Sequence, residues 1–231
     1  MFQIGEVISY MQMCQEEGVN LQRGMNYRLK PNYSVILMSV RRGAPYADRV
    51  DENGKVLIYE GHDVSLTKNG PNSKSVDQPR YHSVGGKPTQ NGLFCNAVER
   101  FKKNPSDVEI VRVYEKIKSG IWVYNGTFLL DDYCQEISGK RKVFKFRLEI
   151  IDADTDYSAE PDTLEHNRLI PTAVKLDVWK RDQGRCVKCD SKDTLHFDHI
   201  LPYSKGGTSL KPENIQILCA RHNLEKRDKI E

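Results

Sequence analysis

The stretch CVKCDSKDTLHFDHILPYSKGGTSLKPENIQILCARHN, residues 186–223, contains two short pairs of metal-ligand side chains on either side of a polar segment. The first pair is Cys186-x-x-Cys189 and the second is Cys219-x-x-His222. Four soft ligands at this spacing can hold one tetrahedral zinc ion. The sequence therefore predicts one structural Zn²⁺, bound by all four of these side chains.

The polar segment contributes residues suited to the hydrolysis of a phosphodiester. His199 directly follows Asp198, and Asn214 and Asn223 come later in the chain. Cleavage needs a base that generates hydroxide and a divalent cation that absorbs charge at the leaving oxygen. Neighbouring positions of a strand point to opposite sides, so one residue can address water while the next addresses the metal.

In its order and spacing this stretch resembles the HNH family of the ββα-metal endonucleases. The resemblance implies that His199 is the general base and that Asp198 and Asn223 are oxygen ligands of one catalytic Mg²⁺ or Mn²⁺, which prefers hard ligands. It also implies that Asn214 braces the loop that carries His199. The commonest family pattern closes with a second Cys-x-x-Cys. Because imidazole substitutes readily for thiolate, we expect His222 to bind zinc; the alternative is a catalytic His222 beside a three-thiolate site.

Residues 33–151 contain short segments with the alternation of β-strands, separated by Gly, Asn, Asp and Pro. The segment TQNGLFCNAVERFKK is the clear helix of this region. Several strands of this length with one or two helices predict a curved sheet or an open barrel, and the whole chain is predicted to be an α+β protein. The predicted strands are YSVILMSV, KVLIYEG, VEIVRVYEK, GIWVYNGTFLLDDYC and RKVFKFRLEII.

The order of these pieces, beginning with GAPYADRVDENGKVLIYEGHD, DQP and TQNGLFCNAV, resembles the SRA domain, the SET- and RING-associated reader of modified cytosine. The resemblance covers residues 33–151. SRA domains extrude a nucleotide from the duplex and hold its base between aromatic faces. It implies that Tyr46 and Tyr59 stack on the base, and that Asp48 or a backbone carbonyl accepts a hydrogen bond from the cytosine N4 amine.

Composition divides the chain into three parts. We expect a DNA-reading domain over residues 1–151, a linker over 152–171 and a nuclease domain over 172–231. The formal net charge is +3, but residues 151–171 carry six acidic side chains and one basic side chain, which is typical of a linker that stays off DNA. No apolar run is long enough to span a membrane, and no secretory leader is recognisable. Scattered single cysteines favour a reducing cytoplasm.

The combined pattern predicts a modification-dependent DNA endonuclease. Its expected partner is double-stranded DNA that carries 5-methylcytosine or 5-hydroxymethylcytosine, and its expected cofactors are one structural Zn²⁺ and one catalytic Mg²⁺ or Mn²⁺. Because one HNH site cuts one strand, double-strand cleavage needs two protomers or two binding events, and we expect a homodimer. Two alternatives stay open: an HNH restriction endonuclease that recognises unmodified sequence, and a non-catalytic protein that binds modified DNA.

Overall fold

The computed structural model describes residues 1–51, 54–65, 72–151, 169–202 and 205–226, and the predicted linker lies largely outside this part of the chain. Strands and helices are both well represented, which confirms the predicted α+β class. In chain order the elements are β1 (Val7–Ile8), α1 (Tyr10–Glu17), β2 (Met25–Lys30), β3 (Tyr33–Met38), β4 (Arg49–Val50), β5 (Val56–Glu60), α2 (Gln90–Lys103), β6 (Glu109–Lys118), β7 (Ile121–Ser138), β8 (Arg141–Ile151), α3 (Thr172–Arg181), β9 (Leu195–His199), β10 (Ile215–Cys219) and α4 (Ala220–Lys226).

The front part of the chain forms one large sheet with the strand order β2-β3-β6-β7-β8-β5-β4, and β1 pairs with β7. Strands β3 and β6 are parallel, whereas the other neighbours are antiparallel. Thr89 caps the N-terminus of helix α2, and its side chain accepts a hydrogen bond from the Gly92 N–H. The helix buries Phe94 and Val98 against the sheet, because these positions lie one turn apart on the same face.

The C-terminal part is a two-stranded antiparallel sheet followed by a short helix. Strands β9 and β10 pair with Ile215 opposite His199 and Cys219 opposite Leu195, and α4 follows β10 directly. Helix α3 packs beside them. The chain turns after α3 at Gly184, which has φ +62°, and an added Cβ there would lie 2.5 Å from the Trp179 ring. Glycine is therefore required at this turn.

The two parts pack against each other. Leu169 and Ile170, at the end of the predicted linker, are both buried, Leu169 in the core of the front sheet and Ile170 in the core of the C-terminal part. No helix within the described residues is both long enough and apolar enough to cross a bilayer.

Candidate functional site

Four side chains of the C-terminal part converge as a candidate zinc centre. The ligand atoms of Cys186, Cys189, Cys219 and His222 all lie within 4.8 Å of one another. The Sγ atoms of Cys189 and Cys219 are 3.8 Å apart, and His222 Nδ1 lies 3.3 Å from Cys186 Sγ. A tetrahedron with metal–sulfur bonds of about 2.3 Å has edges of roughly 3.8 Å, so the donor set and its separations fit one Zn²⁺.

The local backbone prepares these ligands for a cation. Burial raises the pKa of the Cys186 thiol, but hydrogen bonds from backbone N–H groups and from His222 outweigh that effect and bring the pKa to about 6. The turn after the first pair is closed by a 2.9 Å hydrogen bond from the Asp190 N–H to the Cys186 carbonyl. Asp190 has φ +58°, a conformation that Asp tolerates better than most residues. Metal ligation needs the thiolate form, which this setting favours at Cys186.

A second cluster lies beside the zinc ligands and contains the predicted nuclease residues. Asp198, His199 and Asn223 line one pocket of about 200 Å³. Asp198 and His199 end strand β9, and Asn223 lies on α4 directly after the second ligand pair. Two of the zinc ligands lie close to this cluster in the chain: Cys219 ends β10, which pairs with β9, and His222 directly precedes Asn223 on α4. Carboxylate and amide oxygens at this place are donors that suit Mg²⁺ or Mn²⁺.

His199 is held by a neighbouring hydroxyl. Its Nε2 lies 2.8 Å from Ser209 Oγ, and Ser209 is buried. Burial lowers the pKa of His199 below its usual value, although Asp198 opposes the effect. The imidazole is therefore neutral at physiological pH, which is the form that can accept a proton. Nothing in the spacing of the motif points to Ser209.

Lys226 is a further member of this cluster that motif spacing does not reveal. Its side chain is 1% exposed, and its Nζ lies 3.0 Å from Asp198 Oδ2 and donates a 2.6 Å hydrogen bond to the His199 carbonyl. Gln216 Nε2 approaches the same carboxylate oxygen at 3.3 Å. These contacts hold the Asp198 carboxylate in place and fix the backbone of His199.

Asn214 does not line the nuclease pocket within the described residues. Its Oδ1 accepts a 2.9 Å hydrogen bond from the Leu201 N–H, and its Nδ2 donates to the carbonyls of Leu201 and Thr208. The amide therefore ties together the two ends of the loop between β9 and β10. The side chain braces the segment that follows His199.

The front domain contains a separate cavity of about 330 Å³, and Tyr46, Asp48 and Tyr59 line it together. Tyr46 is half-buried and Tyr59 is 1% exposed, so the second ring is fixed in the core. The ring of Tyr46 stacks on that of His62 at a centroid distance of 5.9 Å. A cavity of this size falls in the usual range for a small organic ligand.

Asp48 is the buried acid of this cavity. Burial raises its pKa to about 6, in spite of hydrogen bonds from the N–H groups of Glu60 and Ser39. Each of its oxygens accepts one of these bonds, at 3.0 Å, which leaves each oxygen a second lone pair. The Ala47 N–H donates to the Glu60 carboxylate, and Lys145 Nζ donates to the Ala47 carbonyl. The loop that carries Tyr46 is thereby attached to the sheet.

Gly24 makes room for the fixed tyrosine. A Cβ at this position would lie 2.6 Å from the Tyr59 hydroxyl and 3.0 Å from His62 Nε2. A larger residue would displace Tyr59 from the wall of the cavity and would also push against His62. The sequence offers no signal for this role, since Gly24 precedes a strand and is distant from Tyr59 along the chain.

Comparison with known proteins identifies the C-terminal part. Residues 186–229 match the family model of the HNH endonuclease. A curated relative, the H3 lysine-9 specific histone-lysine N-methyltransferase SUVH6 of Arabidopsis thaliana, is 24% identical over 184 residues, which are 76% of this chain and 22% of that protein. The chain thus spans about a fifth of the length of this relative.

Two solved structures illustrate the similarity of the chain. The SUVH5 SRA domain in a complex with hemi-methylated CG DNA is 25% identical, with a TM-score of 0.46 over 68% of this chain and 94% of that chain. The modification-dependent TagI restriction endonuclease is 19% identical, with a TM-score of 0.43 over 96% of this chain and 76% of that chain. The predicted resemblance to the HNH family is confirmed over residues 186–229.

Proposed function

We propose that this protein is a modification-dependent DNA endonuclease, in which the front domain binds an extruded modified cytosine and the HNH domain hydrolyses the backbone nearby. The observation that carries the proposal is the joint presence of Asp198, His199 and Asn223 in one pocket beside the Cys₃His cluster. A scaffold that only bound DNA would need the zinc ligands alone. The nuclease pocket therefore favours catalysis over the non-catalytic alternative.

In the proposed reaction His199 accepts the proton of the attacking water. If His199 Nε2–H donates to Ser209 Oγ, the other ring nitrogen, Nδ1, carries the lone pair that takes this proton. The hydroxide attacks phosphorus, and the bond to the leaving 3′ oxygen breaks on the opposite side. Ser209 and Asn214 act as positioning residues, the first on the imidazole and the second on its loop.

The catalytic cation would be held by Asp198 and Asn223. When bound, Mg²⁺ or Mn²⁺ stabilises negative charge at the leaving oxygen. In the structure Lys226 Nζ lies 3.0 Å from Asp198 Oδ2 and supplies positive charge at the same carboxylate. We propose that the cation and Lys226 share this carboxylate, since its two oxygens can accept from different partners.

In the front domain we propose that Tyr46 and Tyr59 enclose the extruded base and that Asp48 accepts from its N4 amine. Extrusion costs a few kcal/mol of stacking, and stacking on aromatic side chains returns about 1–3 kcal/mol per base. Because Tyr59 is fixed in the core, the Tyr46 ring would have to leave His62 and close over the base.

Double-strand cleavage by a one-strand nuclease needs two protein copies or two binding events. We propose that the protein acts as a homodimer on DNA in the cytoplasm.

Replacement of Tyr46 by alanine is expected to lower affinity for a duplex with 5-methylcytosine by roughly tenfold, because one stacking face is lost. Affinity for the unmodified duplex rests on phosphate contacts and is expected to stay within about twofold. The measurement is the dissociation constant for the unmodified duplex divided by that for the modified duplex, at fixed ionic strength and without divalent cations. Tyr59→Leu, which removes the second aromatic face but keeps most of the buried volume, is expected to lower the ratio similarly.

Tyr81→Ala is the matched control, because Tyr81 is 50% exposed and lies outside the wall of this cavity. It should keep the wild-type ratio. A wild-type ratio in both Tyr46→Ala and Tyr59→Leu would assign these rings to packing and would remove the proposed base-binding pocket.

A further inference from the structure

The first residues of the chain connect the front sheet to the nuclease domain. The Gly5 N–H donates a 2.9 Å hydrogen bond to the Tyr124 carbonyl of β7, and the Gly5 carbonyl accepts a 3.0 Å bond from the Phe197 N–H of β9. Glu6 forms an antiparallel β-bridge with His196 of β9, and β1 continues along β7. Residues 4–8, here termed the N-terminal strap, are thus bonded through their backbone to both domains.

Gly5 is required for this arrangement. It has φ +82°, and an added Cβ would lie 2.7 Å from the Phe197 carbonyl oxygen. Any side chain would therefore be strained and would push the strap away from β9. The close approach of the two backbones depends on this glycine.

A buried polar cluster joins the domains a short distance away. Lys175 Nζ on α3 donates to Glu115 Oε2 at 2.6 Å and to Asn125 Oδ1 at 2.7 Å, and Asn125 Nδ2 donates to the same Glu115 oxygen at 3.0 Å. Thr172 also donates to Glu115. Lys175, Glu115 and Asn125 are each only 2% exposed. Sliding of one domain over the other would leave buried charges without partners, which is strongly unfavourable.

We term Glu115, Asn125, Thr172 and Lys175 the interdomain cluster. Apolar side chains of both domains also meet in this region. Ile117 and Val123 of the front sheet belong to the same buried group as Val174 and Val178 of α3. The two domains thus share part of one hydrophobic core. Such a core resists displacement because closely packed side chains have few alternative arrangements.

These contacts reach the nuclease pocket directly. Phe197, which is bonded to the strap, precedes Asp198 and His199 in β9. Gly5, Asn125 and Lys175 line the same pocket as Asp198, His199 and Asn223. The place of hydrolysis is therefore fixed relative to the front sheet, which also carries the cavity with Tyr46.

We propose that the N-terminal strap and the interdomain cluster set the distance between the modified base and the cleaved phosphodiester. The inference rests on the proposed function. A nuclease tethered only by a flexible chain as long as the predicted linker, residues 152–171, would range over roughly 25 Å, or about seven base pairs at 3.4 Å per step. Docking to the front sheet restricts cleavage to a narrow position.

The experiment maps the cut positions on a duplex with a single 5-methylcytosine, for the wild type, Glu115→Gln, Lys175→Met and the double variant. The wild type is expected to cut each strand within about two nucleotides of one position, and each single variant to spread its products over roughly seven base pairs. The double variant removes both buried charges and is expected to restore the narrow position. Lys180→Met, the same change at an exposed site of α3, should match the wild type.

A measurement without DNA tests the docking independently of cleavage. The amide protons of Phe197 and Tyr124, which donate to the strap, are expected to exchange at least about tenfold faster in Gly5→Ala and Glu115→Gln than in the wild type. Gly120→Ala is the control for the first, because Gly120 also has positive φ but has open space at its Cβ.

The outcomes separate the two proposals. Rapid exchange of both amides in the wild type would overturn the docking inference whatever the enzyme does to DNA, as would a broad window of wild-type cuts. Narrow cuts that stay in place in both single variants would overturn it as well. Equal cleavage of modified and plain duplexes, with the amides protected, would instead contradict the proposed function and leave docking supported.

Discussion

Replacement of His199 by alanine is expected to lower the rate of DNA cleavage by at least about a hundredfold, the lower end of the range for the loss of a general base. The imidazole is neutral, is half-buried and is oriented by Ser209 at 2.8 Å, and no other described histidine lines the pocket. The measurement is a single-turnover rate on a modified duplex with saturating Mg²⁺. Affinity for that duplex and zinc content should be unchanged.

His196→Ala is a useful comparison, since His196 is three residues away on the same strand but lies outside the pocket. It should retain much more activity than His199→Ala. Asp198→Ala and Asn223→Ala should instead raise the Mg²⁺ concentration needed for half-maximal rate. Full activity in His199→Ala would rule out the proposed mechanism, and an unchanged Mg²⁺ midpoint would reassign Asp198 and Asn223.

Replacement of Cys186 by serine is expected to remove the bound zinc and unfold the HNH domain. The wild type should contain about one zinc per chain. Zinc binding to such sites contributes about 10–16 kcal/mol to folding at neutral pH, so its loss is expected to unfold the domain. The core of the C-terminal part is small, although it is shared in part with the front sheet, so zinc is expected to supply a large share of its stability. The measurement is elemental analysis combined with thermal unfolding. Cys134→Ser, at an exposed cysteine outside the cluster, should keep both the zinc and the wild-type stability.

The role of His222 is separable from that of its neighbour. If His222 completes the zinc site, His222→Ala should weaken zinc binding and Asn223→Ala should leave it intact. A protein that keeps its zinc in His222→Ala but loses activity would instead favour the three-thiolate site with a catalytic His222. Absence of zinc from the wild-type protein would contradict both interpretations.

Local sequence signals were sufficient for most of the fold. The alternation in residues 108–116 and 141–151 predicts β6 and β8, and the capping residue Thr89 with Phe94 and Val98 one turn apart predicts α2. Turn and strand patterns are local properties, so they can be recognised without tertiary contacts. The four predicted zinc ligands also lie together, because two closely spaced pairs of Cys and His side chains are a local sequence signal for a single metal site.

The contacts between domains could not be predicted in this way. Strand β1 has two residues, which is too short for any periodicity. Lys175 lies in a helix of ordinary composition, and its partner Glu115 is 60 residues away in the sequence. Lys226 occupies the charged face expected of a terminal helix but is buried against Asp198. Long-range ion pairs leave no local pattern, so only the tertiary structure reveals them.

The central claim is that cleavage depends on cytosine modification and on the HNH centre, and the most direct measurement is the initial rate on matched duplexes. They differ at one cytosine, which is plain, 5-methylated, 5-hydroxymethylated or glucosylated, and each is digested with Mg²⁺ or Mn²⁺ by the wild type and by His199→Ala. We predict that at least one modified duplex is cut at least about tenfold faster than the plain one, and that His199→Ala cuts none at a comparable rate. Equal rates on all four duplexes, or no cleavage of any, would contradict this account.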